Sequence, residues 1–252
     1  MKLKIRNILV SQPQPTDFEK SPYAEISRKF CVTFTFKQLI QIEGVPAKDF
    51  RKDRINILDY SAIIFTSKNA VDHFFRICKE MRIEVPEAMK YFSISESTAY
   101  YLQKYVQFRK RKIFHSKENF ALLVDLIKKH KNEKFLLPCS DVHKQDVPKM
   151  LEDSKVVYKK AIIYRTLARD MSDTDITKYD MLVFFSPAGI KSLFKNYPEF
   201  IQGDMVIAAL GTSVAQAAKD AGLRLDVEAP TKEAPSITSA IEQFLTREAK
   251  KK

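Results

Sequence analysis

Hydroxyl side chains recur at one kind of position in this sequence, directly after a short apolar run and directly before a helical pattern. They are Thr66, Ser67, Ser95, Ser97, Thr98, Ser140, Ser186, Thr212 and Ser213. A helix N-terminus offers unpaired backbone N–H groups and a partial positive charge, which suit carboxylates or phosphates. As a set, these residues predict a site for an anionic molecule. Each residue alone is better explained as an ordinary helix N-cap.

The elements that would position these hydroxyls occur twice. Residues 59–71 combine an apolar strand, a polar turn and the start of an amphipathic helix, and residues 180–190 have the same layout. A second pair of segments, 92–99 and 208–215, follows in the same order. Two units that recur in order predict two similar α/β domains.

Strands alternate with helices through most of the chain, which favours mostly parallel sheets covered on both faces. In such sheets, ligands bind beyond the carboxyl ends of the strands, and all of the hydroxyls above fall at such ends. If the hydroxyl-bearing ends of both domains face one cleft, they would bind a large, multiply anionic molecule. Two long β-rich runs, 31–42 and 156–166, flank the middle of the chain and could pair with each other.

The composition is typical of a globular protein, and the net positive charge indicates an anionic partner. The 252 residues are 45% hydrophobic and 29% charged, and the formal net charge is +12. The positive charge would allow the protein to bind nucleic acid, a membrane surface or a small polyanion. Alternatively, the charge serves solubility, and part of it lies in a basic, frayed C-terminus that carries Arg247 and Lys250–Lys252. The dense run Arg109–Lys112 fits a solvated loop and an anion site equally well. No apolar run is long enough to span a bilayer and no signal peptide is evident, so we expect a cytoplasmic protein without membrane contact.

Several kinds of catalytic site have no sequence signal here. The three cysteines and four histidines lack metal-ligand spacing, so no metal is predicted. Cys78 falls on an apolar helix face and is predicted to be a core residue, whereas His143 could contact an anionic substrate or lie on the surface. There is no nucleophile–base pair and no Walker loop. Any catalysis would therefore depend on binding geometry and hydrogen bonding.

Four segments carry a resemblance to a known family. They are Ile64–Val71, Leu136–Thr166, Phe184–Gly189 and Ala209–Ala215. In order and spacing they resemble uroporphyrinogen-III synthase over nearly the whole chain, from Ile8 to about Phe244. The resemblance implies an α/β fold with two flavodoxin-like parallel-sheet domains joined by a two-stranded β ladder. Domain 1 would comprise residues 1–35 and 168–252, domain 2 residues 44–158, and the ladder residues 36–43 and 159–167.

The resemblance also implies an activity that needs no cofactor. Hydroxymethylbilane, a linear tetrapyrrole with eight carboxylates, would close to uroporphyrinogen III with inversion of ring D and loss of water. Family mechanisms invoke a spiro intermediate. The protein would be a monomeric hydro-lyase of heme biosynthesis that binds its substrate largely through backbone N–H groups and hydroxyls.

Individual roles can be carried over by motif. Tyr164 would assist loss of the hydroxyl from ring A, although a tyrosine that only packs at the ladder explains it equally well. The predicted substrate-binding residues are Ser186, Ser213, Thr98, Ser67, Thr66 and Thr212. The sequence departs from the family pattern at Ser11–Pro13, which lacks an arginine common after the first strand, and at Ser95, which replaces a common glycine.

Two other functions remain open from the sequence. A non-catalytic, two-domain module of the same fold could bind a polyanion, for example as a regulator. Direct nucleic-acid binding is disfavoured, because the aromatic residues fall at core spacings and form no stacking platform.

Overall fold

The computed structural model describes residues 5–117, 120–142 and 146–250. The strands are β1 (Asn7–Val10), β2 (Thr33–Phe36), β3 (Ile40–Gly44), β4 (Ala62–Phe65), β5 (Lys90–Ser93), β6 (Ile113–His115), β7 (Phe135–Ser140), β8 (Tyr158–Ala168), β9 (Met181–Phe184), β10 (Val206–Leu210) and β11 (Val227–Ala229). The helices are α1 (Pro22–Phe30), α2 (Ala47–Phe50), α3 (Lys68–Met81), α4 (Glu96–Tyr101), α5 (Phe120–Lys128), α6 (Asp146–Asp153), α7 (Pro187–Asn196), α8 (Thr212–Asp220) and α9 (Ile237–Lys250).

The chain divides into two compact units. The terminal unit contains the chain up to Gln41 and again from Leu167, and the middle unit is Ile42–Thr166. Each unit has one sheet, with the order β11-β10-β9-β1-β2 in the terminal unit and β3-β8-β7-β4-β5-β6 in the middle unit. The recorded registers between neighbouring strands are parallel in both sheets, so the predicted α/β fold with two parallel sheets is confirmed.

The central strands form because their residues are apolar on both faces. All residues of β4 (AIIF) and of β9 (MLVF) are buried, as expected for strands covered by helices on both sides. Successive side chains point to opposite faces. In β1, Ile8 and Val10 join one core cluster and Leu9 joins the other.

Each sheet has a point at which the strand order reverses. In the terminal unit β2 and β9 lie on opposite sides of β1, so the reversal falls between β1 and β9. In the middle unit β5 and β6 lie on one side of β4, and β7 lies on the other. Ligands of open α/β sheets bind in the crevice at such a reversal.

The two long β-rich runs do pair. The Val45 N–H donates to the Ile163 carbonyl at 3.0 Å, and the Arg169 N–H donates to the Leu39 carbonyl at 2.9 Å. Residue numbers fall on one segment as they rise on the other, so β3 and β8 are antiparallel. The strand that pairs is Ile40–Gly44, slightly later than predicted.

Two predicted elements need correction at the C-terminal end. Arg247 and Lys250 do not lie in a frayed tail, since α9 continues to Lys250 and fully buries Leu245 near its end. The last strand begins at Val227 rather than Leu225. Before it, the Asp226 N–H donates to the Ile207 carbonyl at 3.0 Å, while the Asp226 carboxylate accepts the Ile207 N–H at 2.9 Å.

Within the described residues, no helix is long and apolar enough to cross a membrane.

Candidate active site

The order reversal of the middle unit contains a cavity of about 260 Å³. It lies beyond the carboxyl ends of β4 and β7. The lining residues are Thr66, Ser67, Ile94, Leu137, Cys139, Ser140, Val142, Val147 and Tyr164. An apolar floor with a few polar groups around it is the usual composition of a ligand pocket.

Tyr164 brings a phenol into this cavity from β8. The residue is 8% exposed, and its hydroxyl lies 3.4 Å from Ser67 Oγ. Burial raises the pKa of Tyr164, and the hydrogen bond with Ser67 only partly opposes that effect. The phenol therefore stays protonated at neutral pH and can donate a hydrogen bond.

Ser67 joins the phenol to a helix N-terminus. It is the N-cap of α3, and its Oγ accepts the Ala70 N–H at 3.1 Å. The cap interpretation of this serine is thus correct. The same oxygen also faces Tyr164, so Ser67 both caps the helix and lines the cavity together with Thr66.

Ser140, the last residue of β7, lines the cavity, and Asp141 follows it. Ser140 Oγ lies 3.1 Å from Thr166 Oγ1 and donates to Asp141 Oδ1 at 2.8 Å. Burial acts to raise the pKa of Asp141, but the hydrogen bonds from Thr166 N, Ser140 Oγ and Val142 N keep it below its usual value. Asp141 is therefore an ionised carboxylate that orders this turn.

Thr98 follows β5 at the same edge of the sheet but is not among the residues that line the cavity. It is 4% exposed, and its hydroxyl lies 3.1 Å from Ser95 Oγ. Ser95 is the N-cap of α4 and has an extended backbone at φ −141°. The turn at Ser95 therefore closes through a side-chain cap, without a glycine.

The order reversal of the terminal unit places two serines near Gly189. Ser186 is the N-cap of α7, and its Oγ accepts the Gly189 N–H at 3.2 Å. A Cβ atom on Gly189 would lie 3.6 Å from Ser186 Oγ and 3.9 Å from Ser11 Oγ. Gln12, at the segment where the resemblance predicts an arginine, donates to the Tyr23 hydroxyl at 3.1 Å.

Thr212 and Ser213 occupy the exposed first turn of α8. The N-cap is Gly211, which has φ +94° and provides no side-chain hydrogen bond to the helix. Backbone N–H groups in the first turn of a helix have no partner within the helix. The start of α8 thus combines two hydroxyls with N–H groups that no side-chain cap covers, an arrangement suited to an anion.

The basic run Arg109–Lys112 lies directly before β6, at the amino edge of the sheet and away from the cavity. Arg109 pairs with Glu87 at 3.6 Å, and Lys112 Nζ donates to the Glu87 carbonyl. This run is therefore a loop whose positive charge is partly neutralised by Glu87. His143 lies outside the described residues. Within those residues, no group of three His, Cys, Asp or Glu side chains could hold a metal ion.

A family model of uroporphyrinogen-III synthase HemD matches residues 23–239. The chain belongs to the uroporphyrinogen-III synthase family. Comparison with the sequences of curated proteins gives no match.

Solved structures of this family share the fold. The uroporphyrinogen-III synthetase of Helicobacter pylori is 18% identical, with a TM-score of 0.60 over 96% of this chain and 100% of that chain. A mutant uroporphyrinogen III synthase of the extremely thermophilic bacterium Thermus thermophilus is 14% identical, with a TM-score of 0.59 over 98% of this chain and 100% of that chain. The resemblance inferred from the sequence is confirmed, and the function is that of a synthase in tetrapyrrole biosynthesis.

Of the predicted site residues, the structure brings Thr66, Ser67 and Tyr164 together around one cavity. Ser186, Thr212 and Ser213 lie at helix starts of the terminal unit. Sequence reasoning included Ser140 in the predicted hydroxyl set but assigned no site role to Asp141, Thr166 or His73. A local signal existed only for Asp141, which directly follows an apolar strand, whereas His73 reaches Tyr164 from a different element.

Proposed function

We propose that this protein closes hydroxymethylbilane to uroporphyrinogen III, with inversion of ring D and loss of water, as a lyase that needs no cofactor. The match of the family model over residues 23–239 carries this proposal. The cavity at the order reversal of the middle unit supports it, because a buried phenol and hydroxyls meet there at a helix N-terminus.

Tyr164 is the proposed catalytic residue. Its protonated phenol would donate a hydrogen bond to the hydroxyl that leaves ring A, which stabilises the negative charge that develops on the departing oxygen. Burial supports this role because a hydrogen bond from the phenol to the departing oxygen is stronger in a low-dielectric cavity than in water. Ser67, 3.4 Å away, would orient the phenol.

The cavity is smaller than the substrate. A volume of about 260 Å³ is below the range of roughly 300–1,000 Å³ for sites that enclose drug-sized ligands. We therefore propose that it takes one part of the tetrapyrrole. Thr66 and Ser67 would bind this part in the middle unit, and Thr98 would support binding indirectly through its hydrogen bond with Ser95. Ser186, Thr212 and Ser213 would bind carboxylates through the starts of α7 and α8.

The isomer of the product is the decisive test. Purified protein is supplied with hydroxymethylbilane in the presence of a metal chelator, and the uroporphyrinogen isomers are separated. We expect the type III isomer without added metal or nucleotide. The type I isomer alone, formed by spontaneous closure, would rule out the synthase activity and leave the non-catalytic binding module.

We further propose a cytoplasmic monomer that does not bind nucleic acid. Sedimentation would report the oligomeric state. Duplex DNA binding that weakens steeply as salt is added would contradict the last part of this proposal.

A further inference from the structure

The ring of Tyr164 is held by a second aromatic ring. His73, in the second turn of α3, stacks on Tyr164 with ring centroids 5.1 Å apart and an angle of 21° between the planes. Ser67, at the start of the same helix, lies beside the Tyr164 hydroxyl. A single helix thus contacts both the face of the phenol ring and its reactive oxygen.

Arg76, one turn after His73, connects this ring pair to the backbone of β8. Its guanidinium donates to His73 Nδ1 at 3.2 Å, to the Ile163 carbonyl at 3.1 Å and to the Val45 carbonyl at 2.8 Å. Ile163 directly precedes Tyr164. One side chain therefore restrains both the backbone that carries the phenol and the imidazole that packs on it.

Gly44 provides the space for this guanidinium. A Cβ atom at Gly44 would lie 2.7 Å from Arg76 Cζ and Nε, closer than real Cβ contacts allow. The Arg76 side chain is 28% exposed, and Glu80 on the next turn accepts from its remaining guanidinium nitrogen. The fold thus keeps Arg76 close against β3 and β8.

His73 is a neutral imidazole in this arrangement. Because Nδ1 accepts from Arg76, the proton of the imidazole is on Nε2. Burial lowers the pKa of His73, the charge of Arg76 lowers it further, and Asp72 and Glu80 oppose the shift. A neutral imidazole fits a residue that orients another group better than one that supplies a proton.

We propose that His73 and Arg76 are positioning residues that hold the Tyr164 phenol in its reactive orientation. This proposal rests on the proposed catalytic role of Tyr164. Misplacement of a reacting group by about 1 Å can cost about 100-fold in rate, so loss of the stack should lower turnover even though neither residue is among those that line the cavity.

The test is a double-mutant cycle on the full chain. We expect His73→Ala to lower kcat by about 10-fold to 100-fold with KM changed less than twofold. In a Tyr164→Phe background, His73→Ala should change kcat less than twofold, because there is no phenol left to position. His73→Phe, which keeps a flat ring, should recover most of the activity. Should His73→Ala not fold, His73→Leu takes its place in the cycle.

Phe75→Ala is the matched control, since Phe75 is on the same helix and stacks on Tyr105 with centroids 4.4 Å apart. It should lower the melting temperature comparably but leave kcat nearly unchanged. The proposal is overturned if His73→Ala has its full effect without the phenol, or if Phe75→Ala lowers kcat equally. A wild-type protein that forms no type III isomer contradicts the proposed function itself, and the isomer assay shows this before any variant is made.

Discussion

The two units share one architectural plan but build different ends to their sheets. In the middle unit, serines cap α3 and α4, and their hydroxyls lie beside a buried phenol or a buried threonine. In the terminal unit, α8 begins at Gly211, and its first turn exposes Thr212 and Ser213. The edge of the middle unit is therefore shaped for hydrogen-bond chemistry in a cavity, and the edge of the terminal unit adds, beside the Ser186 cap of α7, a helix start that no side chain caps.

The strand orders of the two units also differ. Renumbered within each unit, the order is 2-1-3-4-5 in the terminal unit, whereas it is 3-2-1-4-5 in the middle unit with β3 added beside β8. The first is the flavodoxin order and the second is that of a classic doubly wound sheet. Similar local βα units can therefore assemble in two orders, each with an order reversal that opens a crevice.

The largest expected effect tests whether the buried phenol makes the middle unit the catalytic one. Tyr164→Phe should lower kcat by about 10²-fold to 10⁴-fold, measured as the initial rate of type III formation, with little change in melting temperature. Tyr91→Phe is the matched control, because Tyr91 is a buried tyrosine of the same sheet that does not line the cavity. A large loss of stability with unchanged specific activity would favour a packing role for Tyr164.

A smaller effect is expected where the terminal unit uses glycine in place of a serine cap. Gly211→Ala should destabilise the protein by about 1–3 kcal/mol, because φ +94° is strained for any residue with a Cβ atom. Gly189→Ala, with its new Cβ at an ordinary 3.5 Å from Phe184, should change stability by less than about 1 kcal/mol. Urea unfolding compares the two variants, and equal effects would show that the backbone of Gly211 is not the cause.

The smallest expected effect is a difference between the two units in how their stability depends on pH. Burial raises the pKa of Cys78 from 9.0 to about 12 and that of Cys139 to about 11, and both thiols are in the middle unit. A raised pKa stabilises the fold fully below pH 9, and this contribution is lost as pH rises towards the folded values. In the terminal unit, Tyr23 has its pKa raised from 10.0 to about 12, and Cys31 is exposed.

Amide hydrogen exchange can follow each unit separately. Between pH 9 and 10, β4 and β7 should lose protection before β9 and β10, after correction for the intrinsic pH dependence of exchange. Each pH unit above 9 costs at most about 1.4 kcal/mol per thiol. Cys78→Ala should reduce this pH sensitivity, and simultaneous loss of protection in both units would contradict the assignment to the thiols.

Much of the fold could be predicted because its signals are short-range. The apolar runs of β4 and β9, and the helix face formed by Val71, Phe74 and Cys78, identify strands and helices within a few residues. Cys78 is a core residue, as predicted. Element ends were less predictable: Asp226, just before β11, bonds Ile207 through both its backbone and its side chain, and α9 continues past Leu245, which is buried by other elements.

The candidate site was predictable only where its chemistry is local. Ser67 and Ser186 are identifiable as hydroxyls at helix starts because a cap and its N–H donor are three residues apart. The partner of a hydroxyl is not local information. Thr98 also lies in the first turn of its helix, but its hydroxyl is buried against Ser95. The local sequence does not show this burial.

By itself, the sequence determined the repeated βα pattern, the serine caps and the family, because each depends on residue types at short and regular spacing. Only the tertiary structure decided the strand orders and the meeting of Ser67 with Tyr164, which are 97 residues apart. The physical reason is that such contacts form when whole sheets and helices bury their apolar faces together. That packing, which no local pattern specifies, places His73 on the phenol and Arg76 against the strand that carries it.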